Sequence, residues 1–195
     1  MSLRGGVVGL LAVISLAAAG ALASEEVTLK AGVFEPPRAA PELSLVASNG
    51  GTLRLRDYRG KVVLLGFGFT SCPEVCPTTL AVLAQARKRL GELAQQVQVI
   101  YVTVDPERDS AERMKAYLRG FDPTFVGGTG TPAQMAEVRR NYGVMAERKP
   151  LGNTYTVAHS SSVYLIDREG LLRGMMPYGR SPDDYVHDVR ALLSE

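Results

Sequence analysis

The chain has 195 residues, 46% of them hydrophobic and 22% charged, which suits one ordinary globular core and leaves little for a second. Its 22 Lys and Arg are interspersed with 20 Asp and Glu for a formal net charge of +2, so no segment has the basic footprint that would point to a nucleic-acid partner. Thiol and imidazole donors are scarce: there are 2 cysteines and 2 histidines.

The run from Gly5 to Ala23 carries no charge, follows Arg4 and closes on Ala21-Leu22-Ala23, a small-x-small pattern. It reads as an export signal cleaved after residue 23, with an uncleaved membrane anchor through residues 5–23 as the alternative. Both send the rest of the chain across a membrane, into the periplasm or facing it in a bacterial source. Ser24 to Pro41, with Pro36, Pro37 and Pro41, reads as an extended linker or lead-in arm, and the folded domain is expected over residues 42–195.

LSLV and LRLR open that domain as short strands, and KVVLLGFGF is apolar for long enough to be a strand buried on both faces. A helix is expected from about Pro77 to Leu90, where Arg87, Lys88 and Arg89 precede Gly91. QVQVIYVTV reads as a second interior strand. Asp109 with Glu112 resembles a capping box for the helix SAERMKAYLRG, and Thr131-Pro132-Ala133-Gln134 repeats the device. TYTVAHS, SSVYLID and LLRGMM read as a strand edge and a strand pair turning at Arg168-Glu169-Gly170, before a last helix at Ser181-Pro182. The order β-β-β-α-β-α-α-β-β-α argues an α/β fold, a sheet with parallel strands and helices on both faces.

Cys72 and Cys76 fall where the buried strand gives way to the first helix, the edge at which ligand sites gather in open α/β sheets. A helix N-terminus favours thiolate over thiol, so both cysteines are expected to be reactive. On a helix, residues four apart lie on one face about 6 Å apart in rise, a placement open to a shared ion and to a disulfide alike. A static disulfide would close too small a loop to stabilise much. A redox couple and a metal site stay open.

A third ligand would decide between them. His187, in YVHDVRALL, reads as an ordinary helical residue, whereas His159 in VAHSSSVYLID precedes an apolar strand and can reach the same sheet edge. Two thiolates and an imidazole form a soft trigonal set suited to Cu(I), while zinc with one open position remains compatible with the ligand count. Asp105 and Asp109 are candidate carboxylates behind the site, although helix capping accounts for Asp109. Met175 and Met176 read as core filler and are set aside.

GFGFTSCPEVCPTTL, YVTVDPERDS and HSSSVYLID resemble, in order, three blocks of the Sco/SenC family of thioredoxin-fold copper proteins, over roughly Glu42 to Leu193. The resemblance implies a thioredoxin-like fold, a copper ion, Cu(I) or Cu(II), held by Cys72, Cys76 and His159, and delivery of copper to the cytochrome c oxidase subunit with the dinuclear copper site. Other periplasmic copper chaperones or thiol reductases are implied as further partners. It also keeps alive a thiol-disulfide oxidoreductase in which Cys72 and Cys76 are the redox-active pair that holds the oxidase cysteines reduced, and a redox or copper sensor. Glu74 stands where many members carry Asp. The C-x-x-x-C spacing and the proline-free HSSS depart from ordinary thioredoxin-like reductases, toward ligation rather than exchange.

Overall fold

A computed structural model describes residues 28–195. The expected leader therefore lies outside the described residues, and among those residues no helix is long and apolar enough to cross a membrane.

Eight strands form one mixed sheet: β1 (Gly32–Ala39), β2 (Leu45–Ala47), β3 (Thr52–Leu53), β4 (Val62–Gly68), β5 (Val97–Thr103), β6 (Val126–Thr129), β9 (Val163–Ile166) and β10 (Leu171–Met176). Between β6 and β9 in the chain, β7 (Ala146–Leu151) and β8 (Thr154–His159) pair, among the described residues, only with each other. The large sheet runs β1-β10-β9-β4-β5-β6-β2-β3, with β4, β5 and β6 parallel and the other pairings antiparallel. Among the described residues the four α-helices are α1 (Val75–Leu90), α2 (Ala111–Arg119), α3 (Pro132–Tyr142) and α4 (Pro182–Ser194).

Every residue of β4 and β5 is buried, as their unbroken apolar runs require of strands covered on both faces. Because β4, β5 and β6 step across the sheet in one direction, right-handed crossovers put α1 and α2 on the same face. On the other face Phe67 of β4 meets Tyr142 of α3, ring centroids 5.5 Å apart. The expected sheet with helices on both faces is thus the observed one.

Three strands were not legible from pattern. β6 is Val-Gly-Gly-Thr, and its glycines are contact points: a Cβ on Gly127 would sit 2.9 Å from Met114 of α2, and one on Gly128 2.7 Å from Leu53 of β3. Close approach of neighbours on both faces, rather than β propensity, makes this a strand. β7, Ala-Glu-Arg-Lys-Pro-Leu, is exposed along most of its length and shows no apolar period. β1 contains Pro36 and Pro37 and sits at the sheet edge, where missing N–H groups are tolerated. The segment expected as a linker to residue 41 therefore contributes a strand, and the packed unit begins before Glu42. Asp188 of α4 ties it down, accepting from the backbone N–H groups of Lys30 at 2.7 Å and Ala31 at 2.8 Å.

The helix start at Thr131 carries the capping box its sequence announces, and the one at Ser181, expected only as a helix start, carries a capping box as well. The capping box expected at Asp109 is absent: Ser110 is the N-cap of α2, accepting from the Arg113 N–H, and Asp109 turns into the interior with no exposed surface.

Candidate metal centre

β4 ends at Gly68, and Phe69-Thr70-Ser71-Cys72 crosses the edge of the sheet before α1 begins at Val75. Cys72 therefore precedes the helix instead of sharing a helical face with Cys76. Its Sγ accepts the Cys76 N–H at 3.4 Å, taking an orphan donor of the first turn that the N-cap residue Glu74 leaves without a side-chain partner. Cys72 is half-buried and Cys76 is 1% exposed, and both are free thiols.

His159 ends β8 and arrives from 83 residues away, its Nε2 3.5 Å from Cys76 Sγ. Its Nδ1 lies 2.7 Å from the Ser160 carbonyl, which can only accept, so Nδ1 carries the proton and the Nε2 lone pair faces the sulfurs. Burial, offset in part by that bond, holds the imidazole pKa below its ordinary value and keeps the ring neutral. Its ring also meets Phe69 edge-on at 5.8 Å.

The two Sγ atoms and a His159 ring nitrogen lie within 4.8 Å of one another. An ion ~2.0–2.3 Å from each of three donors in a plane needs them about 3.5–4 Å apart, so a small inward adjustment suffices. The residues present fit a soft ion.

The expectation that both cysteines are reactive is corrected at Cys76. Burial pushes its thiol pKa up to about 12, against the opposing pull of hydrogen bonds from Tyr101 and the Phe69 backbone. The partial positive end of α1 does not offset so complete a loss of water.

Tyr101 of β5, which pattern reading passed over, is fully buried beside that sulfur. It lies opposite Gly66 in the parallel register. Glycines 66 and 68, two apart and so on one face of β4, make room for its ring. A Cβ on Gly66 would lie 2.8 Å from the ring, and one on Gly68 would lie 2.7 Å from Cζ and 2.8 Å from Cys76 Sγ. A usable signal existed: Tyr101, Thr103 and Asp105 occupy alternate positions of an otherwise apolar run.

Asp105 and Asp109 both lie behind the site, buried, and neither touches a donor atom. Asp109 accepts from the Thr70 N–H at 3.0 Å, the Thr70 hydroxyl at 2.6 Å and the Thr103 hydroxyl at 2.7 Å, fixing the loop that delivers Cys72. Arg113 of α2 adds hydrogen bonds to Thr70 Oγ1 at 2.7 Å and Ser71 Oγ at 3.0 Å. Asp105 faces the other half, pairing with Arg108 and accepting from the Tyr155 hydroxyl at 2.8 Å. His187 stays on α4, half-exposed beside Asp188. Met176 is core, as expected, but Met175 is 38% exposed and is not filler.

The profile of the SCO1/SenC family matches residues 34–194. A mouse protein named SCO2 homolog, mitochondrial, is 37% identical over 153 residues, a match covering 76% of this chain and 60% of the mouse protein's length. Among solved structures, Bradyrhizobium japonicum ScoI with copper bound is 35% identical with a TM-score of 0.74, covering 80% of this chain and 99% of that one. Apo Sco1 of Thermus thermophilus is 36% identical with a TM-score of 0.77, covering 87% and 99%. With its mixed thioredoxin-like sheet and its C-x-x-x-C and His cluster at the strand edge, the chain belongs to the SCO1/SenC family.

Proposed function

We propose that this chain binds one copper ion through Cys72 Sγ, Cys76 Sγ and His159 Nε2, and surrenders it to the dinuclear copper site of a cytochrome c oxidase subunit. The observation that carries the reading is the convergence of two thiols and a neutral imidazole at one sheet edge. That donor set suits Cu(I), and a transferable ion needs few ligands, one of them on the surface. Cys72 supplies the accessible one. Incoming acceptor thiolates would replace the donors one at a time, with no net oxidation or reduction. The copper-bound ScoI relative supports the choice of metal. The place proposed for this chemistry is the periplasmic side of a membrane, reached through the apolar N-terminal run.

Reduced protein titrated with Cu(I) without oxygen is expected to take up one equivalent, and His159→Ala to bind about tenfold or more weakly, the effect of losing one of three ligands. Unchanged affinity and stoichiometry in His159→Ala would remove the three-ligand site. A second reading, thiol-disulfide exchange, is favoured by two free thiols within 4.8 Å of each other. It predicts that His159→Ala still reduces an acceptor disulfide at the wild-type rate.

A further inference from the structure

Among the described residues, the β7–β8 hairpin that carries His159 is not hydrogen-bonded into the main sheet. A two-stranded ribbon is marginally stable alone, so what fixes this one decides where the imidazole sits. At its base the Ser160 N–H donates to the Met145 carbonyl at 3.0 Å and the Met145 N–H to Ser160 Oγ at 3.1 Å. Farther out, β7 lies in solvent, and the hold comes from the inward face of β8.

Tyr155, Val157 and His159 alternate along β8 and share that inward face. Val157 is buried. The Tyr155 hydroxyl donates to buried Asp105 at 2.8 Å, and its carbonyl accepts from Arg108 Nη1 at 3.0 Å. Its ring is flanked by the guanidinium groups of Arg108, 3.9 Å from the centroid, and Arg148, 4.5 Å. Arg148 is anchored in turn by Glu107 at 2.6 Å.

Asp105 to Asp109 form a single short loop. Asp109 grips Thr70, two residues before Cys72, while Asp105 grips Tyr155, four residues before His159. One loop thus sets the spacing between the thiol half and the imidazole half. We propose that Tyr155 on Asp105 is a latch: engaged, it holds His159 against the cysteines; released, it lets the hairpin swing out and gives an acceptor access to the ion. This rests on the copper-site reading above. Tyr155 is a positioning residue, about 13 Å along the strand from His159 by the rise of an extended chain.

Tyr155→Phe removes only the hydroxyl and leaves the ring between its two arginines. Two measurements test the latch. In the metal-free protein, amide hydrogen exchange over residues 154–159 is expected to speed up while β4 and β5 keep wild-type protection. In copper-loaded protein, release to an excess of a Cu(I)-selective chelator is expected to quicken on the order of tenfold, the worth of one hydrogen bond to a charged group. Asp105→Asn is expected to move both readouts the same way. Lys149→Ala, on the outer strand of the same hairpin, is expected to move neither. Wild-type exchange and release rates in Tyr155→Phe would overturn the latch, as would faster exchange spread over the whole chain. If the wild type takes up no copper, the copper reading fails, and the exchange measurement still judges the latch by itself.

Discussion

Replacing Gly68 by alanine adds one methyl group to a strand whose own backbone need not move. The added Cβ would lie 2.8 Å from Cys76 Sγ and 2.7 Å from Tyr101 Cζ, and closer still to the hydroxyl oxygen. Cβ contacts this short do not persist, and Tyr101 has no free volume to retreat into, being enclosed by β4 and α1. Overpacking of this kind destabilises by about 1–3 kcal/mol, and separating the phenol from the thiol forfeits about 1 kcal/mol more. A loss of about 2–4 kcal/mol in urea unfolding is expected, with copper affinity falling at least about tenfold because the same displacement moves Cys76 Sγ. Tyr101→Phe deletes the oxygen that clashes worst, so the double variant is expected to recover about 1 kcal/mol relative to the sum of the two single changes. Gly68→Ala within about 0.5 kcal/mol of wild type, or strict additivity with Tyr101→Phe, would refute the argument that glycine is there to seat the phenol on the sulfur.

In metal-free protein the buried thiol gives a pH signature. Because Cys76 keeps its proton up to about 12 in the fold against 9.0 in a model thiol, its contribution to stability is fully present below 9 and is lost as pH rises from 9 toward 12. Urea midpoints measured across that window are expected to fall more steeply for wild type than for Cys76→Ala. Copper must displace the same proton, in addition to any carried by Cys72, so affinity is expected to rise at least about tenfold per pH unit through neutrality, a slope readable by chelator competition. Alkylation followed by mass spectrometry is expected to label Cys72 well before Cys76, since only the former reaches solvent. At the far edge of the sheet, Asp188→Ala leaves the amides of Lys30 and Ala31 unpartnered. It is expected to destabilise by about 1.5–3 kcal/mol, with limited proteolysis cutting ahead of β1 first.

The parts of the fold legible in the sequence are those where burial dominates composition. KVVLLGFGF and QVQVIYVTV could not be exposed, and the residues just past a buried strand are a natural place for a site, so Cys72 and Cys76 stood out. His159 was legible by elimination from a pair of histidines. β6 was hidden because its glycines serve its neighbours' packing rather than its own propensity. β7 was hidden because a ribbon in solvent has no buried face to write into its sequence. Asp109 misled because a carboxylate three residues ahead of Glu112 satisfies the capping pattern locally, and only the tertiary structure reveals that Thr70 and Thr103 have the stronger claim on it. Tyr155 and Arg108 were invisible for a related reason: their partners lie 50 and 47 residues away, and no local pattern encodes such pairings.

His159 and Cys76 are 83 residues apart in the chain. An ion held by both acts as a removable cross-link around a loop that takes in nearly all of α1, then β5, α2, β6, α3 and the hairpin. Covalent closure of a loop of this size restricts the unfolded chain by about 4–5 kcal/mol, and a coordinate bond restricts it in the same sense. Loading state and fold stability are therefore one variable read in two ways: a melting temperature reports whether the site is filled, and the copper-free form is expected to be the less stable and more easily degraded of the two.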